Sequence, residues 1–144
     1  MRRLSCGGKG LLKVLRVNQT LVLPPGRKTV AAAAGMIRRG GLVAFPTETV
    51  YGLGASAVNR RAIRNIFKAK GRPADNPLIV HVARLEQVKK VTSFIPPEAF
   101  KLMSCFWPGP LSLVLPRSAL LPPEISAGLP TVAVRMPAHP LALE

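Results

Sequence analysis

Threonines, a tyrosine and glycines follow directly on a short apolar run in this chain, and a pair of cations comes shortly afterwards. The first group is FPTETVYGLG at 45–54, and the second is KGRPADNPL at 70–78. Hydroxyl groups, glycines that let a ligand approach the backbone and fixed positive charge suit a phosphorylated nucleotide and a small carboxylate. The two segments therefore predict an anion-binding site.

Four residues in these segments are candidates for that site. Thr49 offers a hydroxyl, and Lys70 and Arg72 stand two positions apart, so on an extended segment they would point to one side and converge on one anion. Asn76 precedes a proline and should be extended, with an amide that can read a base or sugar edge. A turn with structural hydroxyls, and cations at an ordinary helix end, remain the alternatives.

Two later runs carry further candidates. His81 lies in the apolar run LIVHV, where a lone histidine is more often a core residue than a ligand, and a zinc site is not expected because no partner ligand lies near it. In TVAVR at 131–135, Thr131 and Arg135 share one face of a predicted strand. A buried arginine requires an anionic partner, and because the chain has only six acids we expect that partner to be a ligand.

The acids are also too scattered to form an acid–base pair, and no GxSxG, GxxxxGK[ST] or GxGxxG pattern occurs. Catalysis should therefore depend on positioning and charge neutralisation rather than on a covalent nucleophile.

The composition is that of one globular domain with anionic ligands. The chain has 144 residues, 48% hydrophobic and 19% charged, and its 21 Lys and Arg against 6 Asp and Glu give a formal net charge of +15. Such a charge favours nucleotides or RNA as ligands, with a solvated basic surface as the alternative. Two cysteines, Cys6 and Cys105, favour a reducing compartment, and no run approaches the ~20 apolar residues of a membrane span.

Residues 1–10 are expected to be a flexible basic leader, followed by one domain over 11–144 that begins with a strand at 11–17. The leader is rich in cations and has no acid, which is also typical of a transit segment. We expect a cytoplasmic protein, with mitochondrial import as the alternative if the leader is a transit segment.

Short apolar runs alternate with helical patterns along the rest of the chain, separated by prolines and glycines. The spacing predicts strands at 42–45, 78–82, 111–115 and 131–135, and helices at 29–39, from the cap Asn59 through 69, around 85–91 and after 96–97. This alternation predicts an α/β domain with partly parallel strands. Ligands of such sheets bind beyond the strand ends, where the loop at 47–54 falls.

Four ordered segments together resemble the YrdC/Sua5 family: FPTETVYGLGASAV, KGRPADNPLIVHV, FWPGPLSLVL and TVAVRMPAHP. The resemblance covers the chain from about Leu12 to its last residues. It implies a twisted open α/β sheet of mixed strands with flanking helices and a large, positively charged cavity. It also implies L-threonylcarbamoyl-adenylate synthase activity, a nucleotidyl transfer in which ATP, L-threonine and bicarbonate give threonylcarbamoyl-AMP and pyrophosphate for the t6A modification of tRNA.

The resemblance further implies roles for the candidate residues. For L-threonine they are Thr49, His81 and Arg135, with the guanidinium on the carboxylate. For ATP they are Lys70, Arg72, Asn76 and Thr131. Lys70 and Arg72 would also be catalytic, by neutralising the phosphates that a carbamate oxygen approaches. Mg²⁺ would accompany ATP, without metal ligands from the protein or a tightly bound organic cofactor. The implied partners include the downstream t6A transferase machinery and exclude a membrane.

One feature departs from the family pattern. The SxN half of the family's KxR…SxN signature follows the HP motif, and this sequence reaches Glu144 without it. We expect the 11–144 domain to lack the family's C-terminal portion, which would leave the ATP site open and the activity of this chain alone in question. Two other functions stay open: a carbamoyl-adenylate-forming domain like that of hydrogenase maturation factors, and a non-catalytic module that binds double-stranded RNA or tRNA.

Overall fold

The computed structural model describes residues 15–17 and 20–144. Its strands are β1 Leu15–Val17, β2 Thr20–Val22, β3 Val43–Phe45, β4 Gly52–Gly54, β5 Ile79–His81, β6 Ser112–Pro116 and β7 Thr131–Arg135. Its helices are α1 Arg27–Arg38, α2 Arg60–Lys70, α3 Val88–Val91, α4 Pro97–Phe106 and α5 Pro140–Leu143. None of the helices in these ranges is long and apolar enough to cross a membrane.

A three-stranded mixed sheet in the order β5-β7-β6 carries the main core, which confirms the predicted α/β class with partly parallel strands. β5 runs parallel to β7, and β6 runs antiparallel to it. Alternation along the strands buries Val80 and Val134 on one face, whereas Ile79 and Val114 are 47% and 67% exposed on the other. The sheet therefore has one face in the core and one open face.

Helix α2 follows the predicted pattern at both ends. The Asn59 side chain caps it by accepting a hydrogen bond from the N–H of Ala62 at 3.1 Å. At the other end Gly71 is left-handed with φ of 58°, and the N–H of Arg72 donates to the carbonyl of Phe67. The prediction that the segment 70–72 is extended is therefore wrong, because Lys70 still belongs to the helix.

Two antiparallel pairs, β1 with β2 and β3 with β4, precede the larger sheet. The sequence predicted a loop through Gly54, but Gly52 and Gly54 belong to β4, and neither has a positive φ. A Cβ on Gly52 would lie 3.2 Å from the ring of Phe45, and one on Gly54 would lie 2.7 Å from it. The Phe45 ring therefore lies against both glycines and leaves little room for a larger residue, least of all at Gly54.

Other predicted elements are found with small changes. The helix expected around 85–91 is divided into a 3-10 turn at Leu85–Gln87 and α3. A second 3-10 turn at Pro123–Ser126 and the short helix α5 were not predicted, because each has only four residues and too few positions to show a helical period. The leader at 1–10 and the first four residues of the strand expected at 11–17 lie outside the described residues.

Candidate functional site

The guanidinium of Arg135, at the end of β7, forms an ion pair with Glu48 in the β3–β4 loop. Its Nη2 lies 2.5 Å from Glu48 Oε1 and donates a second hydrogen bond to Thr49 Oγ1 at 3.2 Å, while Nε donates to the carbonyl of Gly109. The side chains of the pair are 12% and 22% exposed. The N–H of Ala138 donates to the other carboxylate oxygen at 3.0 Å. Both charged groups are therefore fixed in place and partly shielded from water.

This ion pair corrects one expectation from the sequence. Arg135 was expected to find its anion in a ligand, but the protein itself supplies Glu48, 87 residues away along the chain. Glu48 was missed because the sequence does not show which loop meets the end of β7. One signal was present: Glu48 is the first acid of the chain and stands among the hydroxyls of the predicted site.

Thr47 holds the turn that presents these groups. Its hydroxyl accepts hydrogen bonds from the N–H groups of Thr49 and Val50, both at 3.2 Å, and donates to the Val50 carbonyl at 2.6 Å. The alternative of a turn with structural hydroxyls thus describes Thr47 well. Thr49 is exposed, and its hydroxyl faces the guanidinium of Arg135.

His81 joins this group because β5 and β7 pair in register, with His81 opposite Arg135. Its ring meets the Phe45 ring edge-on at a centroid distance of 5.8 Å, and its buried Nδ1 has no hydrogen-bond partner among the described residues. Burial lowers the pKa of His81, and the charge of Arg135 lowers it further, against a smaller opposite effect of Glu48. The imidazole is therefore neutral at pH 7, and all three residues assigned to L-threonine lie together.

The pKa of Glu48 is also displaced. Partial burial acts to raise it, but the hydrogen bonds from Arg135 and from the Ala138 N–H together bring the pKa below its ordinary value. The carboxylate is therefore ionised at neutral pH, and the pair with Arg135 carries no net charge.

The residues assigned to ATP lie at the other end of the same strands. Arg72 donates through Nε to the Asn76 carbonyl at 3.2 Å and through Nη2 to the Asn76 side chain and the Pro77 carbonyl. It thereby closes the loop that enters β5. Thr131 begins β7 and so lies at the corresponding end, roughly 13 Å from Arg135 at 3.3 Å per residue. Lys70, the last residue of α2, is exposed.

The structure thus places the candidates in two groups, at opposite ends of β5 and β7. Thr131 and Arg135 share the open face of the sheet, as predicted from their spacing. Two cavities in the described part of the chain, of about 500 and 370 Å³, lie outside these two groups, one beside Arg64 and one beside Arg117. The same part contains no group of three or more His, Cys, Asp or Glu residues that could hold a metal ion.

Fold and site together define an α/β domain with an arginine–carboxylate pair at its strand ends, and known proteins show the same domain. The Sua5/YciO/YrdC family model, described as "Telomere recombination", matches residues 35–144. The chain therefore belongs to this family. It is 61% identical over 115 residues to the threonylcarbamoyl-AMP synthase of Pyrococcus abyssi, and 56% identical over 115 residues to that of Bacillus subtilis.

A solved structure gives the same result in three dimensions. The crystal structure of Pyrococcus abyssi Sua5 complexed with L-threonine matches with a TM-score of 0.79 and 60% identity, over 81% of this chain and 34% of that one. The two synthases are matched over 80% and 79% of this chain but only 34% and 33% of their own lengths. The chain thus spans about a third of the length of these relatives.

Proposed function

We propose that this chain contains the L-threonine and ATP sites of a threonylcarbamoyl-AMP synthase. The reaction would join L-threonine, bicarbonate and ATP into L-threonylcarbamoyl-AMP, release pyrophosphate and serve the t6A modification of tRNA. The observation that carries the proposal is the meeting of Thr49, His81 and Arg135, from three separate segments, at one end of the sheet. The high identity to two threonylcarbamoyl-AMP synthases supports it.

On the amino-acid side, Arg135 would bind the carboxylate of L-threonine. Its hydrogen bonds within the described residues pass through Nε and Nη2, so Nη1 can take an incoming oxygen. Thr49 would add its exposed hydroxyl to the same carboxylate. The neutral imidazole of His81, with an Nδ1 that lacks a partner in the described chain, would accept a hydrogen bond from the ligand.

On the nucleotide side, Lys70 and Arg72 would neutralise the phosphates, and Asn76 and Thr131 would hold the nucleotide by hydrogen bonds. In the reaction a carbamate oxygen forms a bond to the α-phosphorus while the bond to the leaving pyrophosphate breaks. Fixed cations suit this step because negative charge accumulates on both sides of the phosphorus. Mg²⁺ would be held by the phosphates and would neutralise part of their charge, because the cationic side chains here cannot act as metal ligands.

Pyrophosphate release tests this proposal directly. We expect release only when L-threonine, bicarbonate, ATP and Mg²⁺ are all present, and loss of release in Arg135→Ala. Calorimetry should show weaker L-threonine binding by that variant and weaker ATP binding by Lys70→Ala. Glu86→Gln is the matched control, because Glu86 is an exposed acid in the 3-10 turn and forms no ion pair with either group within the described residues. Release that does not depend on L-threonine would contradict the proposal.

A second candidate function, binding of tRNA or double-stranded RNA, is favoured by the surface of α2. This helix has no acid and exposes five cations: Arg60, Arg61, Arg64, Lys68 and Lys70. Glu124 offsets part of this charge, at 3.6 Å from Arg60 and 3.0 Å from Arg64. RNA binding would weaken steeply with salt, in proportion to the phosphates contacted, whereas L-threonine-dependent pyrophosphate release would not. No observation favours the carbamoyl-adenylate alternative.

We further propose that the t6A transferase machinery receives the product and that the protein acts in the cytoplasm. A labelled product that passes to a t6A transferase and onto tRNA would test the first point, and fractionation of cells that express the native protein would test the second.

A further inference from the structure

We infer that Glu48 makes the Arg135 site selective for α-amino acids by accepting the ligand's α-ammonium while Arg135 holds its α-carboxylate. The inference rests on the proposed function, since it concerns the site proposed for L-threonine. It assigns Glu48 to substrate specificity, a role that was not expected from the sequence.

The first argument is the charge of the pair. Glu48 and Arg135 are in contact at 2.5 Å, so together they present a cation and an anion side by side with no net charge. A plain carboxylate gains little from such a pair, because attraction to the guanidinium is offset by repulsion from the adjacent carboxylate. An α-amino acid carries its own two opposite charges on one carbon and so matches both members.

The scarcity of acids makes this arrangement informative. A site for carboxylates alone would be served better by a lone arginine, and a chain with 21 cations and 6 acids could supply one easily. Here one of the six acids lies against the arginine instead. Because the pair is only 12% and 22% exposed, its charges are less screened by water than those of a surface pair.

The second argument is that the Glu48 carboxylate is held in position and can still accept further hydrogen bonds. One oxygen accepts from Arg135 and the other from the Ala138 N–H at 3.0 Å. An ionised carboxylate can accept about four hydrogen bonds, so both oxygens can also accept from an ammonium. Displacement of Glu48 by the ligand would break both bonds at once, which favours a carboxylate that remains in place.

Displacement is nevertheless the alternative that the experiment must separate. If Glu48 only occupied the guanidinium until a ligand arrived, its removal would strengthen the binding of every carboxylate. If it receives the ammonium, its removal weakens the binding of amino acids alone. The two mechanisms therefore predict changes of opposite sign for L-threonine.

The test compares L-threonine with 3-hydroxybutanoate, which has the same skeleton without the ammonium, by calorimetry on the full chain. Wild type should prefer L-threonine. In Glu48→Gln, which keeps the size and an acceptor oxygen, affinity for L-threonine should fall about ten- to hundredfold, as for the loss of a hydrogen bond between charged groups. Affinity for 3-hydroxybutanoate should stay or rise, ATP affinity should stay, and Glu86→Gln should resemble wild type.

Each other result has a distinct meaning. Equal losses for both compounds, or tighter L-threonine binding by Glu48→Gln, would overturn the inference and leave the proposed function intact. Wild type that binds neither compound would overturn the proposed function, and the inference with it. If Glu48→Gln fails to fold, the wild-type protein alone tests the inference. Equal affinity for L-threonine and 3-hydroxybutanoate would show that no group in the protein recognises the ammonium and would overturn the inference.

Discussion

Replacement of Gly54 by alanine tests why glycines occupy both ends of β4. The new Cβ would lie 2.7 Å from Phe45 Cε1, closer than carbon atoms can approach. The ring cannot easily turn away, because it also packs against the ring of His81. Overpacking of this kind costs about 1–3 kcal/mol, and because a shift of a few tenths of an ångström would relieve this contact we expect about 1–2 kcal/mol. The melting temperature should fall by roughly 3–8 °C.

A double-mutant cycle assigns that cost to the ring. Urea unfolding followed by circular dichroism would give the free energy of unfolding of Gly54→Ala, Phe45→Leu and the double variant. Because leucine removes the atom that clashes, the two changes should couple favourably by about 1 kcal/mol. Gly35→Ala in α1 is the control: a Cβ there meets only the flexible end of Arg39, so stability should stay or rise by up to about 1 kcal/mol.

The cycle also separates two reasons for glycine at this position. If Gly54→Ala left stability unchanged and weakened only ATP or L-threonine binding, close approach of a ligand to the backbone would explain the glycine. Our explanation through the Phe45 ring would then be wrong. A stability loss that Phe45→Leu fails to relieve would refute it equally.

Three further changes give distinct outcomes. The pKa of His81 in the folded protein lies below its ordinary value of 6.5, so the neutral ring stabilises the fold fully above pH 6.5 and this contribution is lost as the pH falls through the folded pKa. The free energy of unfolding of His81→Leu between pH 5 and 7 should lack this loss, and an unchanged dependence on pH would contradict the argument. Asn59→Ala should cost about 1 kcal/mol in urea unfolding through loss of the α2 cap, and no cost would refute that role. Arg72→Ala should lower the free energy of unfolding by about 1 kcal/mol and weaken ATP binding, whereas Arg72→Lys should restore ATP binding but not stability. If Arg72→Lys restored both, the hydrogen bonds of the guanidinium to the 76–77 loop would contribute nothing to stability.

The elements with strong periodic patterns could be predicted from the sequence. Helix α2 has its cap, its apolar stripe and its terminal glycine within 13 consecutive positions at 59–71, so its local signals agree. Strand β7 alternates buried and half-buried residues as its sequence indicates. These features depend on contacts between residues close in the sequence, so the spacing of residue types predicts them directly. The face shared by Thr131 and Arg135 followed directly from that alternation.

Features that depend on distant contacts could not be predicted in the same way. Two glycines and a leucine give β4 little strand propensity, and it forms by pairing with β3, where the Phe45 ring packs against it. The contact of His81 with Arg135 requires the parallel register of β5 and β7. The resemblance to the YrdC/Sua5 family assigned both residues to L-threonine without this register, because it transfers residue roles by sequence motif.

The few acids of this chain indicate where charge is needed for structure. Glu124 lies between Arg60 and Arg64 and so joins the 3-10 turn at 123–126 to α2. Glu48 joins the β3–β4 loop to the end of β7. In a chain of net charge +15, an acid next to an arginine lowers local repulsion and also removes an anion site. The Glu48 pair lies at the site proposed for L-threonine, whereas the Glu124 contacts lie on the α2 surface proposed for RNA. Only the Glu48 pair should therefore change the preference of the protein between amino acids and plain carboxylates.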